Sequence, residues 1–218
     1  RKEIEEEGLT SYYKNSGKGV EGLCLKWIIT NLKRGGSAFI ILPDSIFNVF
    51  ANKVLRDEIK KYCFIDCIIS LPPKTFFNTP KKTYILGLTK KDYEEDECEN
   101  IKQSFPIFTY LVSSIGETLD IDRFDIQEND LDKAKILFNQ YKGSPKDFKA
   151  DDPRCKIQPI EKFENEKYWI IDKWWSNEEK IKLGILDEEE IINIDEFKMK
   201  LNDFSKKLNE YQKILEDF

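Results

Sequence analysis

The chain contains no histidine, and that absence excludes more chemistry than any other feature of its composition. Ser-His and Cys-His nucleophilic machinery needs an imidazole to take a proton near neutral pH, and the common zinc sites use imidazoles as ligands. Cys63 and Cys67 alone leave a tetrahedral shell unfilled, so no metal is expected. Cysteine is scarce too, with five residues at 24, 63, 67, 98 and 155. The odd count and the apolar surroundings of most of them suit free buried thiols in a reducing compartment rather than a disulfide framework. No uninterrupted apolar run approaches the roughly 18 residues of a membrane-spanning helix. The opening Arg1-Lys2-Glu3-Ile4-Glu5-Glu6-Glu7 is charged rather than signal-like, so a cytoplasmic location is expected. Positive charge is also short: 35 basic residues against 41 acidic ones leave a net charge of −6. The field of the whole chain therefore opposes nucleic acid, and any DNA contact must rest on a local basic cluster.

What is present is enough for a core: 218 residues with 40% hydrophobic content suit one large domain, or a domain with an appendage. Residues 1–19 read as a loop or frayed helix, and Gly17-Lys18-Gly19 is too short for a phosphate cradle. Leu23, Leu25, Trp27, Ile28 and Leu32 fit a largely buried helix that ends at Gly35-Gly36. Residues 37–42 form a continuous apolar run of the kind found in a parallel sheet covered on both faces, stopped by Pro43. Asp44 or Ser45 then caps an expected helix with Ile46, Phe47, Phe50, Val54, Leu55 and Ile59 on its inner side. Two more strands are expected at 64–71 and 83–89, giving three strands around one crossover helix. Residues 92–103 are acidic and read as an exposed loop, and 105–112 as one more strand. A short helical pattern at 131–141 precedes linker-like punctuation at 143–153. The aromatic cluster Tyr168, Trp169, Trp174 and Trp175 needs a covering surface, either this chain's own core or an interface. Last, Ile194, Phe197, Leu201, Phe204, Leu208, Tyr211, Leu215 and Phe218 follow spacings of three and four, a heptad seam that must be buried within the chain or against a partner.

In a doubly wound sheet ligands bind beyond the carboxyl ends of the strands, which puts the turns after Leu42 and Leu71 at the functional edge. Pro43 and Asp44 occupy the first turn, although capping explains an Asp there equally well. The second carries Pro72-Pro73-Lys74-Thr75-Phe76-Phe77, two aromatics on a proline-stiffened loop where an ordinary core strand would not put them.

The ordered set Leu32-Lys33-Arg34-Gly35-Gly36, Ile41-Leu42-Pro43-Asp44, Leu55-Arg56, Ile68-Ile69-Ser70-Leu71-Pro72, Phe76-Phe77 and Lys82-Thr83 resembles the modification subunit of type I restriction systems and related adenine-N6 DNA methylases. The resemblance covers roughly residues 17–91, and beyond about 110 it is looser. It implies an α/β fold, namely the C-terminal half of a Rossmann-like S-adenosylmethionine-dependent methyltransferase sheet, followed by an extension and a helical, coiled-coil-like tail. The implied reaction is methyl transfer from S-adenosylmethionine to the exocyclic amine of an adenine that has been flipped out of double-stranded DNA. By the same resemblance Phe77, with Phe76 as the alternative, stacks on the flipped base. Lys74, Lys81 and Lys82 flank the rings and are expected to meet phosphates, with Pro43 and Asp44 at the active-site edge. The tail is expected to dock on a specificity subunit, and on the restriction subunit where one is present.

The glycine-rich donor loop and the Asn-Pro-Pro-aromatic motif of these enzymes are not in this sequence. The expectation is therefore an excised or proteolysed part rather than a degenerate chain, with no catalytic or cofactor-binding residues of its own and no activity alone. The expected division is a partial catalytic core over 1–112, an extension over 113–175 and the tail over 176–218. Two other classes remain open: a non-catalytic assembly module, and an RNA or protein methyltransferase of the same fold.

Overall fold

A computed structural model describes residues 2–94, 96–187 and 194–216. Phe218 of the expected seam lies outside the described residues. The chain divides into two compact units, Arg1–Trp175 and Ser176–Phe218.

In the first unit, Lys2–Glu6 (α1) and Gly19–Asn31 (α2) precede the strand Ser37–Pro43 (β1). A broken helix follows: Ser45–Asn48 (α3), a 3-10 turn at Phe50–Asn52, then Lys53–Tyr62 (α4). Next come Cys63–Ser70 (β2), Thr83–Lys90 (β3) and Ile107–Leu111 (β4). A small hairpin of Ile115–Glu117 (β5) and Asp125–Asn129 (β6) leads into Asp130–Gly143 (α5), and Cys155–Gln158 (β7), Ile160–Asn165 (α6) and a 3-10 turn at Ile171–Trp174 complete the unit. The five-stranded sheet has the order β1-β3-β2-β4-β7. In it β3 runs antiparallel between β1 and β2, β2 and β4 are parallel, and β7 is antiparallel to β4. Residues after 113 thus contribute β7 to the same sheet, and the linker-like stretch at 143–153 lies inside one unit.

One expectation fails at β1. Among the described residues this strand is not covered on both faces, and at one edge it pairs with the antiparallel β3. Phe39 is 58% and Ile41 51% exposed, whereas Leu42, pointing the other way, is buried. The alternation expected of a strand with one wet face is present, although every residue from Ala38 to Leu42 is apolar.

The single helix expected after Asp44 is interrupted at Val49, which takes an extended conformation. Side chains replace the missing helical bonds there. The buried Arg56 guanidinium donates to Ile46 O (2.6 Å), Val49 O (3.2 Å) and Lys167 O (2.8 Å), and Asn52 Nδ2 donates to Ser45 O (2.8 Å). The break rotates the inner face, so Ile46, Phe47, Leu55 and Ile59 are buried while Phe50 and Val54 are exposed. In α2 one face alone is buried: Leu25 and Ile29 lie inside and Trp27 is exposed.

On one side of the sheet α5 packs through Ala134, Leu137 and Tyr141 against Cys67, Phe108 and Tyr110. On α4 the neighbours are α2 and β2. The acidic stretch after β3 is tied down rather than free. Cys98 is fully buried, and the Lys91 ammonium donates to Lys60 O (2.8 Å), Cys98 O (2.9 Å) and Ile101 O (2.6 Å). Burial pushes the Lys91 amine below its usual range. All five cysteines are free and four are buried; burial pushes the Cys63 thiol up to about 12, so it stays protonated and unreactive.

The aromatic cluster finds its cover within the unit at Trp169 and Trp175, both buried. Trp169 Nε1 donates to Phe163 O (3.1 Å), Trp175 Nε1 to Pro153 O (2.8 Å), and the Trp169 backbone N–H to Phe47 O (3.0 Å).

The second unit holds Asn177–Lys182 (α7), opened by a Ser176–Glu179 capping box, and Ile194–Glu216 (α8). Phe197, Leu201, Phe204 and Leu208 lie along α8 at alternating steps of four and three, and all four are exposed. Among the described residues no helix is long and apolar enough to cross a membrane.

Candidate functional site

The antiparallel insertion of β3 shapes the candidate edge. Pro43 pairs with Thr83 and Ser70 with Tyr84, so β3 begins where β1 and β2 end. Residues 71–82 must then turn at the carboxyl edge of the sheet. The base of this loop is locked by Asp44 N to Lys82 O (3.0 Å) and Leu71 N to Thr83 O (3.1 Å). Because β4 is parallel to β2, the β5–β6 hairpin that follows it emerges at the same edge. This is where open α/β sheets take ligands.

The loop is folded in itself. Thr75 Oγ1 donates to Pro72 O (2.7 Å), Thr79 N to Phe76 O (3.1 Å) and Lys81 N to Thr79 Oγ1 (3.2 Å). Lys74 has φ 62°, the left-handed region that a residue with a Cβ rarely enters. On this frame Phe76 is 36% exposed and Phe77 87% exposed.

Pro43, Asp44, Lys81 and Lys82 come together, with Thr79 and Thr83, around one cleft of about 530 Å³. Lys74, Phe76 and Phe77 stand on the adjoining loop and do not line it. Asp44 occupies the cap position of α3 without a capping bond from its side chain; instead its Oδ2 accepts from Asn48 Nδ2 (3.0 Å).

The residue that sequence reasoning missed is Asp172, on the 3-10 turn near the end of the first unit. Its carboxylate accepts from Ser70 Oγ (2.9 Å) and Tyr84 Oη (2.8 Å) and pairs with Lys82 Nζ (2.8 Å). Burial alone would raise this carboxyl, but the Lys82 ammonium and the Tyr84 and Ser70 donors outweigh it and hold Asp172 below the usual carboxylate range. Burial and the neighbouring carboxylate push the Tyr84 hydroxyl far up, so it remains a donor. The one available signal was an Asp within the apolar, aromatic run 168–175, where an unpaired charge would be costly.

Asp172 also changes the character of the three lysines. Lys74 and Lys81 are exposed, whereas the Lys82 ammonium is matched by a carboxylate and lies 5.7 Å from the Tyr84 ring centroid.

The glycine-bearing stretch 17–22 does not fit a methyl-donor site. The nearest approach to a glycine turn, residues 17–22, is filled by the chain itself. A Cβ on Gly17 would meet Asn52 Oδ1 at 2.4 Å and one on Gly22 would meet Ser16 O at 2.1 Å. Lys18 N already donates to Asn52 Oδ1 (2.7 Å). These glycines admit neighbouring parts of the protein, not a ligand. Among the described residues no group of three or more acidic or cysteine side chains is placed to hold a metal ion.

Among the solved structures compared with this chain, the first shares its fold. A chain from a study of complex assembly and conformational transition in the type I R-M system is 18% identical, with a TM-score of 0.52 over 88% of this chain and 38% of that one. The M protein of the type I restriction enzyme EcoKI is 24% identical over 40% of this chain and 19% of its own, at a TM-score of 0.34. The methyltransferase subunit of a type I restriction-modification system from Streptococcus thermophilus is 22% identical over 63% and 26%, at 0.43. The chain thus spans 38% or less of the length of these three structures. No curated protein matches it. The family profile described as N-6 DNA Methylase matches residues 18–182, well over half of the sequence and all of the sheet described above, and the chain belongs to that family.

Proposed function

We propose that this chain forms the target-base side of an adenine-N6 DNA methyltransferase, of the kind that serves as the modification subunit of a type I restriction-modification system in the cytoplasm. The observation that carries this reading is Phe77: a large ring left 87% exposed on a loop held by its own hydrogen bonds at the carboxyl edge of the sheet. The exocyclic amine of adenine is buried in duplex DNA, so the base must leave the stack before its amine can react, and an exposed, fixed aromatic gives it a new surface. Phe76 stands beside it as the alternative. Pro43 and Asp44 border the cleft next to the loop, and Lys74 and Lys81 flank the rings where phosphates of the extruded strand would pass. Lys82, already matched by Asp172, is the weakest of the three as a phosphate contact. S-adenosylmethionine is the methyl donor implied by family membership, and its site and the amine-binding residues are assigned to polypeptide other than these residues. The chain alone is therefore expected not to methylate DNA.

The test is Phe77→Ala in the complete methyltransferase, with 2-aminopurine at the target position of a duplex. Base–aromatic stacking of about 1–3 kcal/mol corresponds to a loss of roughly 5- to 150-fold in the flipped population. An unchanged fluorescence signal would sink the reading.

The exposed row Phe197, Leu201, Phe204 and Leu208 favours a docking role for the tail, and the partner we assign is the specificity subunit that reads the DNA sequence. Deleting the residues after Asp195 is expected to abolish co-elution with that subunit while leaving the thermal unfolding of the first unit unchanged. Retained assembly would refute docking.

A further inference from the structure

The loop that displays Phe77 is gripped just before its two rings, at the Lys74 and Thr75 carbonyls, by a distant side chain, Arg123. This residue sits between β5 and β6, in the hairpin that emerges beside the loop because β4 runs parallel to β2. Its Nη2 donates to Lys74 O (2.5 Å) and to Thr75 O (3.3 Å), and its Nη1 donates to Thr118 O (3.0 Å) on its own hairpin. The hairpin end is closed in turn, with Phe124 N on Thr118 Oγ1 (3.1 Å), Thr118 N on Phe124 O (2.9 Å) and Thr118 Oγ1 on Asp122 O (3.2 Å). One planar guanidinium therefore bridges two separately folded turns.

The carbonyls it selects are informative. Lys74 is the loop residue with φ 62°, a conformation that persists in a residue other than glycine only where the surroundings over-determine it. The bonds of Thr75, Thr79 and Lys81 are all local to the loop and fix its shape. Arg123 adds what they cannot supply, the attachment of that shape to the neighbouring β5–β6 hairpin immediately before Phe76 and Phe77. A lysine has no planar fork and could not serve Thr118 and the two loop carbonyls together. The Arg123 Nε is buried without a partner, which is consistent with a guanidinium oriented by the demands of its two ends. Neighbours in the hairpin, Asp120, Asp122 and Asp125, offer carboxylates, yet these three bonds all go to backbone carbonyls.

We infer that Arg123 is a positioning residue for the target base: by pinning Lys74 and Thr75 to the β5–β6 hairpin it holds the Phe77 ring ready to receive the extruded adenine. The inference rests on the proposed stacking role of Phe77. Without the pin the ring must be ordered at the moment of binding, and that ordering weakens flipping although no contact to the base has been removed.

The experiment is a double-mutant cycle in the complete methyltransferase, read by 2-aminopurine fluorescence at the target position. Arg123→Ala is expected to lower the flipped population roughly 5-fold, the equivalent of one net hydrogen bond, and to have no further effect in a Phe77→Ala background. Arg123→Lys is expected to recover part of the signal, and it carries the same cycle should the alanine variant fail to fold. If Phe77→Ala lowers the signal while the Arg123 variants match wild type, or their effects simply add to that of Phe77→Ala, the positioning role is overturned and base stacking stands. If Phe77→Ala itself changes nothing, the stacking reading fails and this inference falls with it.

Discussion

Asp172→Ala is expected to lower the unfolding free energy at pH 7 by about 3 kcal/mol, the lower end of the cost of breaking a largely buried ion pair by removing one partner. The lower end applies because the Lys82 side chain is 22% exposed and keeps some access to water. The loss is not confined to one attraction. The substitution leaves an ammonium without its counter-ion and removes the acceptor of both Ser70 Oγ and Tyr84 Oη. Asp172→Asn should cost less, since an amide oxygen still accepts one of these bonds. The effect carries a definite pH dependence. The folded-state carboxyl lies below its ordinary value, so its contribution is complete above the unfolded pKa of about 3.9 and disappears as pH falls through the folded value. Urea unfolding of both proteins at pH 7 and again near pH 3 checks this, and the gap between wild type and variant should narrow in acid. Equal stability at pH 7 would show that Asp172 does not bind the C-terminal turn to the sheet.

The second large effect is expected at Trp169. This side chain is 1% exposed, meets the Phe163 ring edge-on with centroids 6.0 Å apart, and donates from its indole to Phe163 O. Trp169→Ala should cost about 3–5 kcal/mol, the range for emptying a large aromatic site in a core that relaxes only in part. It should also loosen the turn that carries Asp172, because Trp169 N on Phe47 O and Arg56 Nη2 on Lys167 O fasten this segment to the break between α3 and α4. Thermal and urea unfolding measure the cost. A loss under about 1 kcal/mol would mean that the cavity collapses and that these backbone bonds suffice to hold the segment.

The parts of the fold that were legible have a local cause. β2, β3 and β4 are short runs of β-branched and aromatic residues, and the pattern at 131–141 is repeated by the buried positions of α5, Ala134, Leu137 and Tyr141. The break at Val49 was not legible, because Arg56 reads locally as a surface residue of an amphipathic helix and finds Lys167 O only after the chain has folded. The β5–β6 hairpin was missed for a similar reason. β5 is three residues long and β6, mostly polar, is exposed from Asp125 to Glu128, so no apolar alternation marks them as strands.

At the site, order along the chain located Pro43, Asp44 and the Phe76-Phe77 loop, since strand ends and prolines are local signals and the family resemblance rests on the same residues. The strand order was a different matter. Nothing in the composition of β3 states that it returns between β1 and β2, yet that placement turns residues 71–82 at the carboxyl edge of the sheet. The sequence by itself determined β1 to β4, α2 and α5, because their apolar patterns are local, and its ordered motifs carried the family resemblance. Tertiary structure alone decided that Lys82 answers to Asp172 and that Arg123 holds the loop of Phe77, because ion pairs and hydrogen bonds between residues some 50 to 90 positions apart exist only once the sheet has set their distance.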